Sequence, residues 1–303
     1  MNSIERTGRP VRIVTISFYH GNKPAMEEVR MVMEEEAKKG TDLIVLPETW
    51  TDALEEMESP AVQMCASIAE KYQTYVVCPV FQKDEKGRRW NRAILLNRSG
   101  EAVFTYCKYF PYWSEFDLEP KGIPGREVGV YEADFGKIGF AICFDVNFPE
   151  VWDMLAAGGA ELVIWPSAYS GGKSLMAHAL NHHYYIVTST LEGDSAVFDI
   201  TGDEILYKKS DTINVSRITL DLDRCIFHEN FNMGKRDKLL SDYDGKVVQD
   251  IYMKREQWFV LKAVAPGISV KKLAAEYGME ELRSYLRRSK REIDEMRKAY
   301  TEE

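Results

Sequence analysis

The stretch from Gly136 to Glu150, GKIGFAICFDVNFPE, constrains the fold more than any other part of the sequence. Its apolar residues alternate with smaller ones, as in a strand on a pleated sheet, and they are Ile138, Phe140 and Ile142. The alternation stops at Cys143, turn and helix-start residues follow, and Glu150–Ala157 (EVWDMLAA) has helical spacing. Cys143 is therefore predicted where a buried strand ends and a helix begins.

A cysteine at such a junction has two interpretations. Unpaired backbone N–H groups and the positive end of a helix both favour the thiolate, which would make Cys143 reactive. A buried and inert thiol explains the same pattern equally well. The residues elsewhere in the chain therefore decide between the two.

Short apolar strands and amphipathic helices alternate in the first half of the chain. Leu43–Leu46 (LIVL) has the pattern of a buried strand, and Pro60–Lys71 has the apolar spacing of a helix. Hairpins are predicted across Arg98–Gly100 and Phe135–Gly136. This order predicts an α/β protein whose mixed sheets are covered by helices.

The character of the sequence changes beyond about Cys225. We expect residues 1–225 to form the main domain and residues 226–303 to form a C-terminal extension, which packs on the core or on a partner subunit. Residues 227–250 are polar and are predicted to be irregular. Helices are predicted over residues 269–277 and 279–300.

Composition excludes several classes of function. The net charge of -9 argues against nucleic acid or an anionic membrane as the main partner, and no apolar run approaches the ~20 residues of a membrane span. The first residues, MNSIERTGRPVRIV, show no secretion signal. The five cysteines and five histidines lack metal-site spacing, and an odd number of scattered thiols suits a reducing compartment. We therefore expect a cytoplasmic protein without a metal.

Two other predicted strands end in residues that could work with a thiol. Glu48 ends the strand LIVLPE, and Lys108 ends the strand EAVFTYCK, with Glu115 in the loop beyond it. Taken singly, each is as well explained as a capping or solvated residue. Together they supply what nucleophilic acyl chemistry needs, namely a base for the thiol proton and a cation for the oxyanion. Strand ends also lie along the sheet edge where α/β folds place their sites.

These motifs make the sequence resemble the nitrilase superfamily of carbon–nitrogen hydrolases. LIVLPETW matches the family's first motif at Glu48, TYCKYF matches the second at Lys108, and GFAICFDVNFPE matches the third at Cys143. The likeness covers roughly residues 11–225, in the right order. It implies a four-layer αββα sandwich, here followed by a helical C-terminal extension. It also implies a homodimer or higher homo-oligomer and no cofactor.

The resemblance also implies a role for each residue. Cys143 would be the nucleophile, and Glu48 would take its proton. Lys108 and the backbone N–H of Phe144 would stabilise the oxyanion. Glu115 would be the second family glutamate, with Glu119 as the competing candidate.

The implied activity is hydrolysis of a small amide or N-carbamoyl compound through a thioester, with release of ammonia or an amine. The alternative is a true nitrilase that converts a nitrile to an acid and ammonia. Asn147 stands where many family members have arginine, which leaves the choice of substrate open. Candidate substrate-binding residues are Tyr109, Trp113, Phe144, Asn147, Trp165 and Ser167.

Two further readings of the chain remain open. SVKKLAAEYGMEELRSYLRR is similar to a helix-turn-helix, although its mixed charge does not suit phosphate binding. A non-catalytic family member that acts as a scaffold is the other possibility. The presence of the full set of Glu48, Lys108, Glu115 and Cys143 argues against a scaffold.

Overall fold

A computed structural model of the chain describes residues 7–51, 53–55 and 59–301. Two compact units are present, and each is described by itself. The larger unit is Val11–Leu220, and the smaller one combines Asp221–Glu303 with the segment that ends at Pro10. None of the helices in the described ranges is long and apolar enough to span a membrane.

The larger unit is built on two sheets. Its strands are β1 (Pro10–Ser17), β2 (Leu43–Val45), β3 (Leu54–Glu55), β4 (Tyr75–Lys83), β5 (Arg89–Leu96), β6 (Ala102–Cys107), β7 (Val130–Ala133), β8 (Gly136–Phe140), β9 (Leu162–Ser167), β10 (Tyr185–Thr190), β11 (Asp194–Phe198), β12 (Glu204–Lys209) and β13 (Asn214–Asp221). The first sheet has seven strands in the order β13-β1-β2-β4-β5-β6, with β3 beside β4. The second has six strands in the order β12-β11-β10-β9-β8-β7. Both sheets mix parallel and antiparallel pairs.

Helices cover the outer face of each sheet. They are α1 (Met26–Ala37), α2 (Pro60–Tyr72), α3 (Pro149–Ala157) and α4 (Lys173–His182). Val29 of α1 and Ile68 of α2 share one apolar cluster with Ile44 of β2. Trp152 of α3 and Leu175 of α4 share another with strands of the second sheet. Each sheet therefore buries one face under two helices.

The two sheets pack on each other through their remaining faces. Thr15 Oγ1 of β1 donates to Ser195 Oγ of β11 at 2.8 Å. The rings of Phe104 and Phe140 stack across the same interface, with their centroids 5.5 Å apart. Strands buried on both faces need apolar residues at every position, which explains the continuous run in Leu43–Leu46. The layers are thus α, β, β and α, and the predicted four-layer sandwich is confirmed.

The smaller unit contains a three-stranded antiparallel sheet and helices. The strands β14 (Cys225–His228), β15 (Val247–Met253) and β16 (Trp258–Ala263) lie in the order β14-β16-β15. The helices are α5 (Met233–Asp242), α6 (Val270–Glu276) and α7 (Leu282–Thr301). The prediction that residues 227–250 are irregular was wrong, because they contain α5 and β15. Only Leu239 of α5 is buried. A helix that buries so little of its surface does not show the apolar stripe by which an amphipathic helix is recognised in a sequence.

Candidate active site

Three of the four candidate catalytic residues lie just beyond strands of the two facing sheets, and the fourth lies in a nearby turn. Glu48 follows β2, and Lys108 follows β6 of the same sheet. Cys143 follows β8 of the second sheet, and Glu115 lies in a 3-10 turn, Trp113–Phe116. The sandwich therefore brings both sheets' strand ends to one place, as the sequence pattern predicted.

Lys108 lies between the two glutamates. Its Nζ donates to Glu48 Oε1 at 2.8 Å and to Glu115 Oε1 at 2.6 Å. The three side chains are 2%, 4% and 8% exposed, respectively. Burial alone would lower the pKa of Lys108, but the negative charges of Glu48 and Glu115 outweigh it and raise that pKa. The ammonium is therefore held in its charged form.

Neutral donors fix the orientation of both carboxylates. Asn91 Nδ2 donates to Glu48 Oε1 at 2.7 Å and to Glu115 Oε2 at 3.3 Å. The backbone N–H of Ala168 donates to Glu48 Oε2 at 2.8 Å, and that of Tyr112 donates to Glu115 Oε1 at 2.9 Å. Both oxygens of each carboxylate thus accept a hydrogen bond, which compensates for burial of their charge. The competing candidate, Glu119, is exposed and does not join this cluster.

Cys143 has an unusual backbone conformation. Its φ is +46°, in the left-handed region that residues other than glycine and asparagine seldom adopt. The strand β8 ends at Phe140, and a 3-10 turn, Cys143–Asn147, precedes α3. The residue Gly139 allows α3 to pack closely, because a Cβ there would lie 2.7 Å from Leu155 Cδ2. The nucleophile candidate therefore stands on a sharp, strained turn between strand and helix.

The buried side chain of Asp145 stabilises this turn through hydrogen bonds. Its carboxylate accepts the N–H of Ile142 at 2.8 Å, the N–H of Phe110 at 2.7 Å and the hydroxyl of Tyr106 at 2.7 Å. Burial raises the pKa of Asp145 to about 6, although these three donors oppose the shift. The indole of Trp165 donates to the carbonyl oxygen of Cys143 at 3.1 Å.

The environment of the thiol differs from the sequence expectation. Burial and the charge of Glu48 raise the pKa of Cys143 to about 12, although Lys108, the N–H of Ala168 and the hydroxyl of Ser167 oppose them. The helix-start pattern predicted a stabilised thiolate. The prediction missed the burial of the thiol and the neighbouring carboxylate, which together outweigh the N–H groups. The resting cysteine is therefore a neutral thiol next to a carboxylate.

A cavity of about 560 Å³ connects these groups to the surface. Its walls include Glu48, Lys108, Glu115 and Cys143. Four aromatic rings also line it, those of Phe81, Tyr112, Phe144 and Tyr169. The remaining lining residues are Thr49, Ser114, Asn147 and Ala168. The structure thus brings all four candidate catalytic side chains into one cavity of the size that small-molecule sites have.

The candidate substrate-binding residues are placed less uniformly. Phe144 and Asn147 line the cavity, whereas Tyr109, Trp113, Trp165 and Ser167 are not among its lining residues. Trp113 is 61% exposed, and Trp165 and Ser167 are fully buried. Tyr109 packs on the apolar cluster under α3 and α4. Their role in substrate binding stays a prediction.

Several functional groups were not singled out from the sequence. Asn91 and the N–H of Ala168 orient Glu48, and Phe81 and Tyr169 line the cavity. Asn91 lies in the WNRA stretch and Ala168 in WPSAYS. Phe81 offers no sequence signal, because it lies within the apolar strand β4. Within the described residues, no group of three or more His, Cys, Asp or Glu side chains is arranged to hold a metal.

Comparison with known proteins places this site in a family. The sequence model of carbon-nitrogen hydrolases matches residues 13–227. A hydrolase of Schizosaccharomyces pombe is 27% identical over 167 residues, which are 48% of this chain and 50% of that protein. A deaminated glutathione amidase of Synechocystis is 25% identical over 199 residues, which are 55% of this chain and 72% of that protein. The match thus spans about half the length of the first of these relatives.

Solved structures show the same fold. Saccharomyces cerevisiae Nit3, a member of branch 10 of the nitrilase superfamily, aligns with a TM-score of 0.63 at 21% identity, over 71% of this chain and 91% of that one. An amidase from Nesterenkonia sp. aligns with a TM-score of 0.61 at 17% identity, over 80% of this chain and 100% of that one. The family match covers both sheets and every residue of the site, and the chain belongs to the carbon-nitrogen hydrolase family.

Proposed function

We propose that the protein hydrolyses a small, non-peptide amide or N-carbamoyl compound through a covalent intermediate on Cys143. The observation that carries the proposal is the convergence of a thiol, two carboxylates and an ammonium in one cavity. Nucleophilic catalysis at an acyl carbon needs a nucleophile, a base for its proton and positive charge for the oxyanion. The residues of this cavity supply all three.

The neutral thiol makes Glu48 the proton acceptor in the first step. Because the pKa of Cys143 is raised to about 12, the proton has to leave as sulfur attacks the carbonyl carbon. Glu48 is the carboxylate whose charge acts most strongly on the thiol. The proton moves to Glu48, the C–S bond forms, and the carbonyl π electrons move to oxygen. The ammonium of Lys108 and the N–H of Phe144 stabilise that oxyanion.

Collapse of the intermediate breaks the C–N bond. The electron pair of that bond goes to nitrogen, which takes the proton from Glu48 and leaves as ammonia or an amine. The thioester then reacts with a water molecule whose proton Glu48 accepts, and that proton returns to the sulfur as the acid leaves. Glu115 and Asn91 hold Glu48 and Lys108 in place for both halves of the reaction.

A substrate panel tests this proposal. The panel contains primary amides, N-carbamoyl compounds and nitriles, and ammonia release is the readout. We expect the wild type to release ammonia from amides or carbamoyl compounds, and Cys143→Ala to lose the activity. The matched control is Cys107→Ser, a thiol outside the cavity lining, and it should remain active. Full activity of Cys143→Ala would overturn the proposal, and activity on nitriles alone would favour a nitrilase.

We further propose that the protein acts in the cytoplasm as a homodimer or higher homo-oligomer, with residues 226–303 as an extension of the catalytic domain. The cysteines of the chain are free thiols, which suits a reducing compartment. Light scattering of the purified protein gives its mass in solution. A monomer at every concentration would contradict the oligomer.

A further inference from the structure

We propose that the cavity at Cys143 selects amides whose acyl part carries no carboxylate and presents an apolar or aromatic surface. This inference deepens the proposed function and rests on it. Three observations carry it: the charges of the cavity wall, the hydrogen bonds of the Lys108 ammonium, and the rings that line the cavity.

The cavity wall has an excess of negative charge. Among the described lining residues, Glu48 and Glu115 are acidic and Lys108 is the one with a cationic side chain. The ammonium of Lys108 already donates to both carboxylates, at 2.8 and 2.6 Å. A substrate carboxylate would therefore enter beside two negative groups without a cation of its own to bind.

Arg89 packs on a ring of the cavity lining, but its guanidinium is engaged elsewhere. The guanidinium of Arg89 lies 5.2 Å from the centre of the Phe81 ring, and its Nη2 donates to the carbonyl oxygen of Glu119 at 3.0 Å. Arg89 is not among the lining residues, although Phe81 is. The cavity therefore presents the ring to a substrate, and the guanidinium stacks on that ring.

The rest of the wall suits an uncharged acyl group. The rings of Phe81, Tyr112, Phe144 and Tyr169 line it, and those of Tyr112 and Phe144 meet edge to face with centroids 5.2 Å apart. The polar lining side chains Thr49, Ser114 and Asn147 are uncharged. Rings and neutral polar groups bind an apolar or aromatic acyl chain by contact and not by charge.

Alkylation of Cys143 tests the charge preference without any hydrolysis. Iodoacetamide and iodoacetate have the same leaving group and similar size, and they differ in whether they carry an amide or a carboxylate. The rate ratio of the two reagents at Cys143 is measured by peptide mass spectrometry and compared with the ratio for a free thiol in the same buffer. We expect the ratio at Cys143 to favour iodoacetamide by at least roughly tenfold more than the free thiol does. An equal ratio would overturn the inference.

A positive charge added at the cavity wall provides the matched variant. Asn147→Arg adds a cation to the lining, whereas Asn181→Arg adds the same charge at an exposed position of α4 that does not line the cavity. Asn147→Arg should lower the preference for iodoacetamide severalfold, and Asn181→Arg should leave it unchanged. Equal effects of the two variants would overturn the inference.

Hydrolysis separates failure of the inference from failure of the proposed function. Butyramide and succinamate differ only in a methyl group against a carboxylate, and so do para-toluamide and terephthalamate. We expect kcat/KM for the methyl member of each pair to exceed that of its carboxylate counterpart by at least roughly tenfold. Comparable values would overturn the substrate class while leaving the enzyme an amidase. If the alkylation preference is found but neither these pairs nor the N-carbamoyl compounds of the panel are hydrolysed, the proposed function fails while the charge preference of the cavity stands.

Discussion

Glu48 and Lys108 are 60 positions apart in the sequence, yet Glu48 Oε1 and Lys108 Nζ are 2.8 Å apart. Each follows a strand of the first sheet, so the fold of that sheet sets their distance. The pair is almost fully buried, which makes its interaction stronger than that of an ion pair in water. A carboxylate and a cation are thereby held in fixed positions beside the thiol of Cys143.

Replacement of Glu48 should change the titration of the thiol in a defined direction. Burial and the charge of Glu48 raise the pKa of Cys143 to about 12. Glu48→Gln removes the negative charge, so the pKa of Cys143 should fall, while hydrolysis should slow by roughly 10²–10⁴ because the base is lost. The ultraviolet absorbance of the thiolate, measured against Cys143→Ala in the same background, reports that pKa. Glu119→Gln, which changes an exposed glutamate outside the cluster, should leave the titration in place.

Removal of the Lys108 ammonium should cost both activity and stability. Lys108→Met leaves Glu48 and Glu115 buried without their cation, which should lower the free energy of unfolding by about 3–5 kcal/mol. Addition of Glu115→Gln should recover part of that stability without restoring activity. Urea unfolding measures both effects.

The control for this change is a surface ion pair. Lys238 and Asp242 are 68% and 40% exposed, and Lys238→Met should cost at most about 1 kcal/mol. A Lys108→Met protein as stable as the Lys238→Met protein would contradict the assigned role of the buried ammonium.

The positive φ of Cys143 should affect the free energy of unfolding of variants at this position. Glycine adopts φ near +46° without steric strain, whereas alanine does not. Cys143→Gly should therefore unfold with a free energy about 1 kcal/mol higher than Cys143→Ala, although both are inactive. In the regular helix α3 the order should be reversed, and Ala156→Gly should destabilise by roughly 1 kcal/mol. Equal stability of the two Cys143 variants would show that the turn is not strained.

Asp145 should give the folding stability a dependence on mildly acidic pH. Its pKa is raised from 3.8 to about 6 in the folded protein, so the folded state binds the proton more tightly than the unfolded state does. The resulting stabilisation is full below about pH 4 and is lost as the pH rises through about 6, with a total on the order of 3 kcal/mol.

The comparison with Asp145→Asn isolates the contribution that protonation of Asp145 makes to the free energy of unfolding. As the pH rises from about 4 to about 7, the wild type should lose stability relative to the variant. Parallel curves for the two proteins would contradict the raised pKa. The amide of Asp145→Asn has one acceptor oxygen and cannot accept at both positions of the carboxylate. Loss of at least one of the three hydrogen bonds should also lower the variant's stability and activity at every pH.

The local sequence pattern predicted which candidate residues lie at the ends of strands. Glu48, Lys108 and Cys143 each end a run of strand residues, and strand ends share an edge in an α/β fold. Alternating strands and helices predicted the fold class, and the resemblance predicted the four layers. Strand ends, the alternation of strands and helices, and the family motifs are all short stretches of sequence, so a single sequence is enough to recognise them.

Features that depend on contacts between distant segments were not predictable. Burial and the charge of Glu48 reverse the expected pKa direction of Cys143, and nothing near Cys143 in sequence indicates that Glu48 lies there. Phe81 lines the cavity from inside an apolar strand, where its pattern resembles that of any core residue. The helix α5 was missed because only Leu239 among its residues is buried.

Mass spectrometry of a rapidly quenched reaction tests the central claim most directly. The protein is mixed with a hydrolysable amide, quenched in acid, and digested to locate any added acyl group. We expect the mass of the acyl group on the peptide that contains Cys143, and no adduct on Cys143→Ala. Hydrolysis that continues in Cys143→Ala, with no acyl group on sulfur in the wild type, would contradict the covalent mechanism.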